Sequence, residues 1–209
     1  MIVLLNDVES KLESQGLWPG DFDDHITKDG EQQVLTIARN IHAQIPKIHS
    51  ICASFSRRTL KLIHQIRVKS QDGYLTNVKV NTFASLNERS FGVLNGSPID
   101  LKSDLFRHSR ICAENGESIS QVKQRGIELV SALCEGKKDE NILMISHPLF
   151  CQIMCNHFLN KNAAILSKFW SKKGSLILVN NKSGWQVENG YNCIEDKSYS
   201  VDDIYSETY

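Results

Sequence analysis

Residues 141–158 read NILMISHPLFCQIMCNHF. Asn141 to Ser146 is a short, continuous apolar run, as expected for a strand covered on both faces. His147 follows it, and Pro148 suits the first position of a helix, where its missing N–H costs nothing. A buried strand running straight into a helix, with a histidine at the junction, predicts a sheet flanked by helices and a ligand crevice at the carboxyl ends of the strands.

The same alternation extends outward in both directions. Ile2 to Leu5 reads as a first buried strand. Thr27 is a natural N-cap for a helix whose apolar stripe is Val34, Leu35, Ile37, Ala38, Ile41 and Ile45, with Pro46 as its stop. Ile51 to Phe55 reads as a second strand and Arg57 to Val68 as a helix with Leu60, Ile63, Ile66 and Arg67 setting its apolar face. Val78 to Leu86 reads as a third strand. Residues 87–116 are irregular, broken by Gly92, Gly96, Pro98 and Gly116. Ser118 and Gln121 form a capping box for a helix to about Glu135, ended by Gly136. Ser175 to Asn180 and Trp185 to Glu188 read as two closing strands joined at Lys182 to Gly184. Asp202 to Tyr209 is polar and acidic and reads as a loose tail. The expected architecture is a three-layer α/β/α sandwich around a mostly parallel sheet. It forms one domain over residues 1–195, with a capping insertion at about 87–117 and a tail over 196–209.

Composition narrows the function classes. The 209 residues carry 24 Lys plus Arg against 24 Asp plus Glu, so no global positive field draws nucleic acid or an anionic membrane. The apolar start MIVLLND meets an acidic residue too early for a signal-peptide core or a span, and no basic region precedes it. The six cysteines form no CxxC pair, and with no export signal they read as reduced thiols in a cytoplasmic protein. Cys151, Cys155 and His157 have a metal-like spacing. They lie in an apolar helical run without the further ligand that a tetrahedral site needs, so they read as core. No metal or other cofactor is expected.

Asn6, Asp7, Val8, Glu9 and Ser10 follow the first strand. Ile26, Thr27 and Gly30 open the first long helix, and Ser54 and Arg58 follow the second strand. Leu86, Asn87, Glu88, Arg89, Gly92 and Gly96 come next, then Gly116, Glu117 and Ser118, and finally Ser146, His147 and Pro148. In order and spacing this set resembles the phosphoglycerate-mutase-like histidine phosphatase superfamily across roughly residues 1 to 190. The resemblance implies that Arg58 is a phosphate-binding arginine, Glu88 the acid/base, His147 the second histidine and Arg89 a substrate-contacting arginine. It also places Asp7 where the family has its phosphate-accepting histidine and Asn6 where it has the first phosphate arginine. Val8 and Pro148 stand for glycines, and Glu13 for an asparagine. The site expected by resemblance is thus Asp7, Glu88 and His147 for catalysis, with Asn6, Arg58 and Arg89 for phosphate or substrate.

Those departures change the chemistry. Phosphohistidine formation needs an imidazole nitrogen aimed at phosphorus. A carboxylate there makes the pocket more negative. A like-charge contact at ~4 Å costs about 4 kcal/mol at an effective dielectric of about 20, and a lost arginine bond adds about 1.5–3 kcal/mol. The expectation is a catalytically impaired relative, a pseudoenzyme with a binding or regulatory role. Its alternative is an active phosphomonoesterase or mutase working through Asp7 or a metal-bound water, with Glu88 as acid/base. Asp7, Glu9 and Glu13 would be the carboxylates nearest any such cation, although Glu9 should point away from Asp7. An internal ion pair of Asp7 with Arg58 or His147 is the other expected fate of that carboxylate. The partner expected is a phosphorylated small molecule or a protein, the latter meeting the irregular segment that carries Phe91, Leu94, Leu101, Leu105 and Phe106.

Overall fold

A run of five buried residues, Ile2–Asn6 (β1), sits inside the sheet and shows why the chain layers as it does. Alternate side chains of a strand face opposite sides. Ile2 and Leu4 enter one core with the helices Ile119–Cys134 (α4), Pro148–Phe158 (α5), Lys168–Ser171 (α6) and Val201–Ser206 (α7). Val3 and Leu5 enter the other with Lys28–Asn40 (α2) and Arg57–Val68 (α3). A further short helix, Lys11–Ser14 (α1), follows β1. The computed structural model describes residues 1–45, 47–70, 73–100, 112–136, 139–162, 167–181 and 184–206.

The remaining strands are Ser50–Ala53 (β2), Lys79–Thr82 (β3), Ile142–Ser146 (β4), Ser175–Asn180 (β5), Gln186–Asn192 (β6) and Lys197–Tyr199 (β7), in the sheet order β3-β2-β4-β1-β5-β6-β7. The pairings among β1 to β4 are parallel, whereas β1–β5, β5–β6 and β6–β7 are antiparallel, giving a mixed sheet between helical layers. The carboxyl ends of β1, β2 and β4 therefore lie side by side.

Several elements differ from expectation. The third strand stops at Thr82, and Ala84–Leu86 tightens into a 3-10 turn that buries Leu86. The second strand ends at Ala53, because Ser54 and Ser56 begin the cap of α3. The first long helix ends at Asn40 and continues as a 3-10 turn over Ile41–Ala43. The closing strand β6 runs on to Asn192. The expected loose tail is instead structured through Ser206: β7 pairs with β6, and α7 buries Ile204 in the core. Pro46, Leu101, Leu105, Phe106, the turn residues 182–183 and residues 207–209 lie outside the described residues.

Two glycines of the ordered motif set have steric reasons. A Cβ on Gly30 would lie 2.5 Å from the Glu9 carbonyl oxygen, so the first turn of α2 packs directly on the chain leaving β1. Gly92 has φ +55°, and a Cβ there would lie 2.0 Å from the Glu114 carbonyl oxygen.

Candidate functional site

Arg58 lies in the first turn of α3, where a cation opposes the helix dipole and needs an anion close by. That anion is Asp7. Arg58 Nε donates to Asp7 Oδ2 at 2.8 Å, with the two side chains 2% and 0% exposed. His147, the N-cap residue of α5, places Nδ1 2.7 Å from the same oxygen and 3.0 Å from Arg58 Nη2. Arginine can only donate and an ionised carboxylate can only accept. One imidazole nitrogen cannot serve both, and the shorter, charge-assisted contact assigns the Nδ1 proton to Asp7. His147 Nε2 lies 3.0 Å from Ser54 Oγ, which is joined in turn to the hydroxyls of Ser56 and Thr59. The expected internal ion pair exists between Asp7 and Arg58, and His147 joins it through a hydrogen bond.

Burial by itself raises the Asp7 carboxyl pKa. The charges of Arg58 and His147, the hydrogen bond from His147 and the charge of Lys173 outweigh it and hold the carboxyl well below the usual carboxylate range. Burial also works against the Arg58 charge, but Asp7 above all, with Glu13 and Asp24 farther off, keeps its pKa raised.

Lys173 is the residue that sequence reasoning missed. Its Nζ lies 2.7 Å from Glu13 Oε1 and 3.9 Å from Asp7 Oδ1. Glu13 is held by its place in a capping box with Ser10, which turns its second oxygen back to the Ser10 N–H. The signal lies in topology: β5 runs antiparallel to β1, so its entry turn arrives at the carboxyl end of β1, where Gly174 N–H meets the Asp7 carbonyl. The expected excess of negative charge is accordingly offset, with Arg58 and Lys173 facing Asp7 and Glu13.

Other predicted residues are placed differently. The Asn6 amide nitrogen donates to the carbonyls of Trp170 and Lys172, and its oxygen accepts from Ser175 N–H. It fastens the turn between α6 and β5. Glu88 caps α5: Oε1 accepts from the N–H groups of Arg89 and Phe150, and Oε2 from that of Leu149. Arg89 is buried, its Nε donating to the Glu117 carbonyl and its guanidinium lying 5.1 Å from the Phe91 ring centroid. Glu117 receives a two-pronged contact from Arg125, which also holds the carbonyls of Ser85 and Glu88. Glu88 and Arg89 thus brace the capping segment, as does Phe91, whose ring lies 4.2 Å from that of Trp18. Glu9 points away from Asp7, accepting from the Thr27 hydroxyl. Among the described residues no group of three metal-type ligands comes together, and no helix is long and apolar enough to cross a membrane.

The family model described as histidine phosphatase superfamily (branch 1) matches residues 8–193, beginning one residue past Asp7. Among solved structures, YhfR of Bacillus stearothermophilus superposes with a TM-score of 0.75 at 20% identity, covering 89% of this chain and 94% of that one. A phosphoserine phosphatase mutant from Entamoeba histolytica, in complex with phosphoserine, gives 0.72 at 17% identity, covering 93% and 98%. The alpha-ribazole phosphatase of Shigella flexneri gives 0.69 at 18% identity, covering 89% and 94%. At these identities the likeness is one of fold. No curated protein matches the chain.

Proposed function

The chain belongs to the histidine phosphatase superfamily, branch 1, and we propose that it is a member in which phosphohistidine catalysis is lost and the inherited cleft serves binding or regulation. One observation carries this reading: Asp7, which the resemblance sets at the nucleophile position, is a buried carboxylate bonded through Oδ2 to Arg58 and His147. The arginine and histidine that would hold a phosphoryl group in the family hold Asp7 instead. A carboxylate nucleophile of the kind phosphorylated elsewhere relies on a metal to neutralise the incoming charge. Glu88, the acid/base by resemblance, already accepts from three backbone N–H groups, and a proton on it would displace one of them. This disfavours the alternative, an active phosphomonoesterase or mutase with altered chemistry. The test is trapping: the chain is incubated with a reactive aryl phosphate, with and without Mg²⁺, then acid-quenched and weighed intact. No phosphoryl adduct is expected, and an adduct mapped to Asp7 would overturn the reading.

A further inference from the structure

Helix α3 ends with one carbonyl that its own backbone leaves over. Lys69 N–H turns back to Gln65 and Arg67, and Ser70 N–H to Arg67, so the Ile66 carbonyl gains no partner from the helix end. His42, in the 3-10 turn that continues α2, takes it up, with the ring Nε2 3.2 Å from the Ile66 oxygen. A carbonyl can only accept, so Nε2 carries the proton and Nδ1 keeps its lone pair. Nδ1 is shut away from solvent and has no hydrogen-bond partner.

We infer that His42 is an acid-released clamp: with a neutral ring it ties the end of α2 to the end of α3, and a proton on Nδ1 opens that seam. The protonated ring would put a charge and a second N–H where no acceptor meets them. A cation at a helix C-terminus is ordinarily favoured. Here burial works against the charge and lowers the His42 pKa, with the bond to Ile66 offsetting it only in part. The unfolded chain therefore takes up the proton first. What the clamp contributes is whole above the ordinary value of 6.5 and is lost as pH falls through the depressed folded value. Ile41, Ile66 and Leu75 lie buried in the core at this seam, so its opening loosens the end of that core. Arg58 sits in the first turn of α3, about 12 Å along the helix from Ile66, so the clamp stands apart from the Asp7 cluster and from the reading of its function.

The neighbouring groups do not share the response to acid. Tyr74 sets its ring edge-on to the imidazole at 6.3 Å, and burial raises its phenol pKa, so it stays protonated. Arg67, in the last turn of α3, is turned to the carbonyls of Leu75 and Thr76. Arg39 of α2 is exposed. Among the described residues no charged side chain contributes to the His42 shift.

The experiment is NMR of the full chain in two parts. Long-range nitrogen–proton correlation of the imidazoles should show His42 as the Nε2–H tautomer near neutrality, titrating with a midpoint below 6.5. Amide hydrogen exchange, corrected for its intrinsic pH dependence, should show the protection of Arg67 and Val68 falling at least about threefold more than that of the β4 amides between about pH 7 and pH 5. That range stays above the titration of Asp7. In His42→Gln the side-chain amide can still donate to the Ile66 carbonyl but cannot titrate, so the excess loss should disappear. An Nδ1–H tautomer, or a midpoint at or above 6.5, overturns the inference. So does protection at Arg67 and Val68 that follows β4 on acidification, or an excess loss that persists in His42→Gln. Should that variant not fold, the tautomer, midpoint and exchange of the unsubstituted chain decide alone.

Discussion

Asp7 and Arg58 meet through Oδ2 and Nε at 2.8 Å, inside the molecule, across 51 residues of sequence. Removing one member strands the other. Asp7→Ala leaves an uncompensated buried guanidinium, and Arg58→Ala an uncompensated carboxylate. Each should lower unfolding stability by about 3–5 kcal/mol, while a double replacement by apolar residues of similar size should cost much less than the sum. Denaturant unfolding of the four chains measures the coupling.

The pair also sets an acid limit. The Asp7 carboxyl pKa is lowered from its ordinary value of 3.8, so the folded state binds fewer protons than the unfolded state below that value. The stability Asp7 contributes is therefore fully present above about pH 4 and is lost progressively as pH falls toward its depressed folded value. The stability gap between the unsubstituted chain and Asp7→Asn should stay level from about pH 7 to pH 5 and narrow below about pH 4. A gap that widens on acidification would contradict this.

Asn6→Arg should destabilise the fold and confer no phosphatase activity. It removes an amide that holds two carbonyls and one N–H at the turn before β5. A loss of about 3 kcal/mol or more is expected from the stranded backbone groups. Thermal melting of Asn6→Arg beside Asp7→His separates this folding penalty from any change in the site.

Gly30→Ala should destabilise by about 1–3 kcal/mol, because the atom it would crowd is backbone that cannot rotate away. An alanine at the open position Gly136 should meet no clash, although its φ of +70° disfavours any side chain. Comparing the two midpoints separates contact from conformation.

Thiol labelling checks both cores. Cys112 is exposed, whereas Cys52, Cys151, Cys155 and Cys193 are buried. Burial pushes Cys155 up to about 11 and Cys193 up to about 12, so few thiolates exist at those positions near neutrality. A maleimide or iodoacetamide pulse read by peptide mass should mark Cys112 at once and the four buried cysteines only on unfolding.

The layered architecture was legible because buried parallel strands and capped helices carry strong local signals. Thr27, Ser118 with Gln121, and Pro148 mark helix starts where the structure has them. Helix faces were less so. Leu60 fits an apolar stripe but is 41% exposed, while Leu62, two positions on, is buried, because packing against α2 and the sheet sets the rotation. The tail misled because its anchor is small: Ile204 is buried, with Val201 and Tyr205 packed partly beside it, and so short a stretch among acidic residues leaves no clear periodicity. Within the site, Asp7, Arg58 and His147 were found from their places at strand ends. The backbone groups that Asn6 and Glu88 hold were not legible, since a side chain's hydrogen-bond partners depend on distant backbone. Lys173 left no local signal, and only the antiparallel entry of β5 brings it in.

Whether the cleft still catalyses is measured by steady-state hydrolysis of a generic aryl phosphate, compared between the unsubstituted chain and Asp7→Ala across neutral pH and with Mg²⁺ present or chelated. No turnover above background is expected in either chain under any of these conditions. Clear turnover by the unsubstituted chain would contradict the loss of catalysis, and its disappearance in an Asp7→Ala chain shown to be folded would assign Asp7 as the nucleophile.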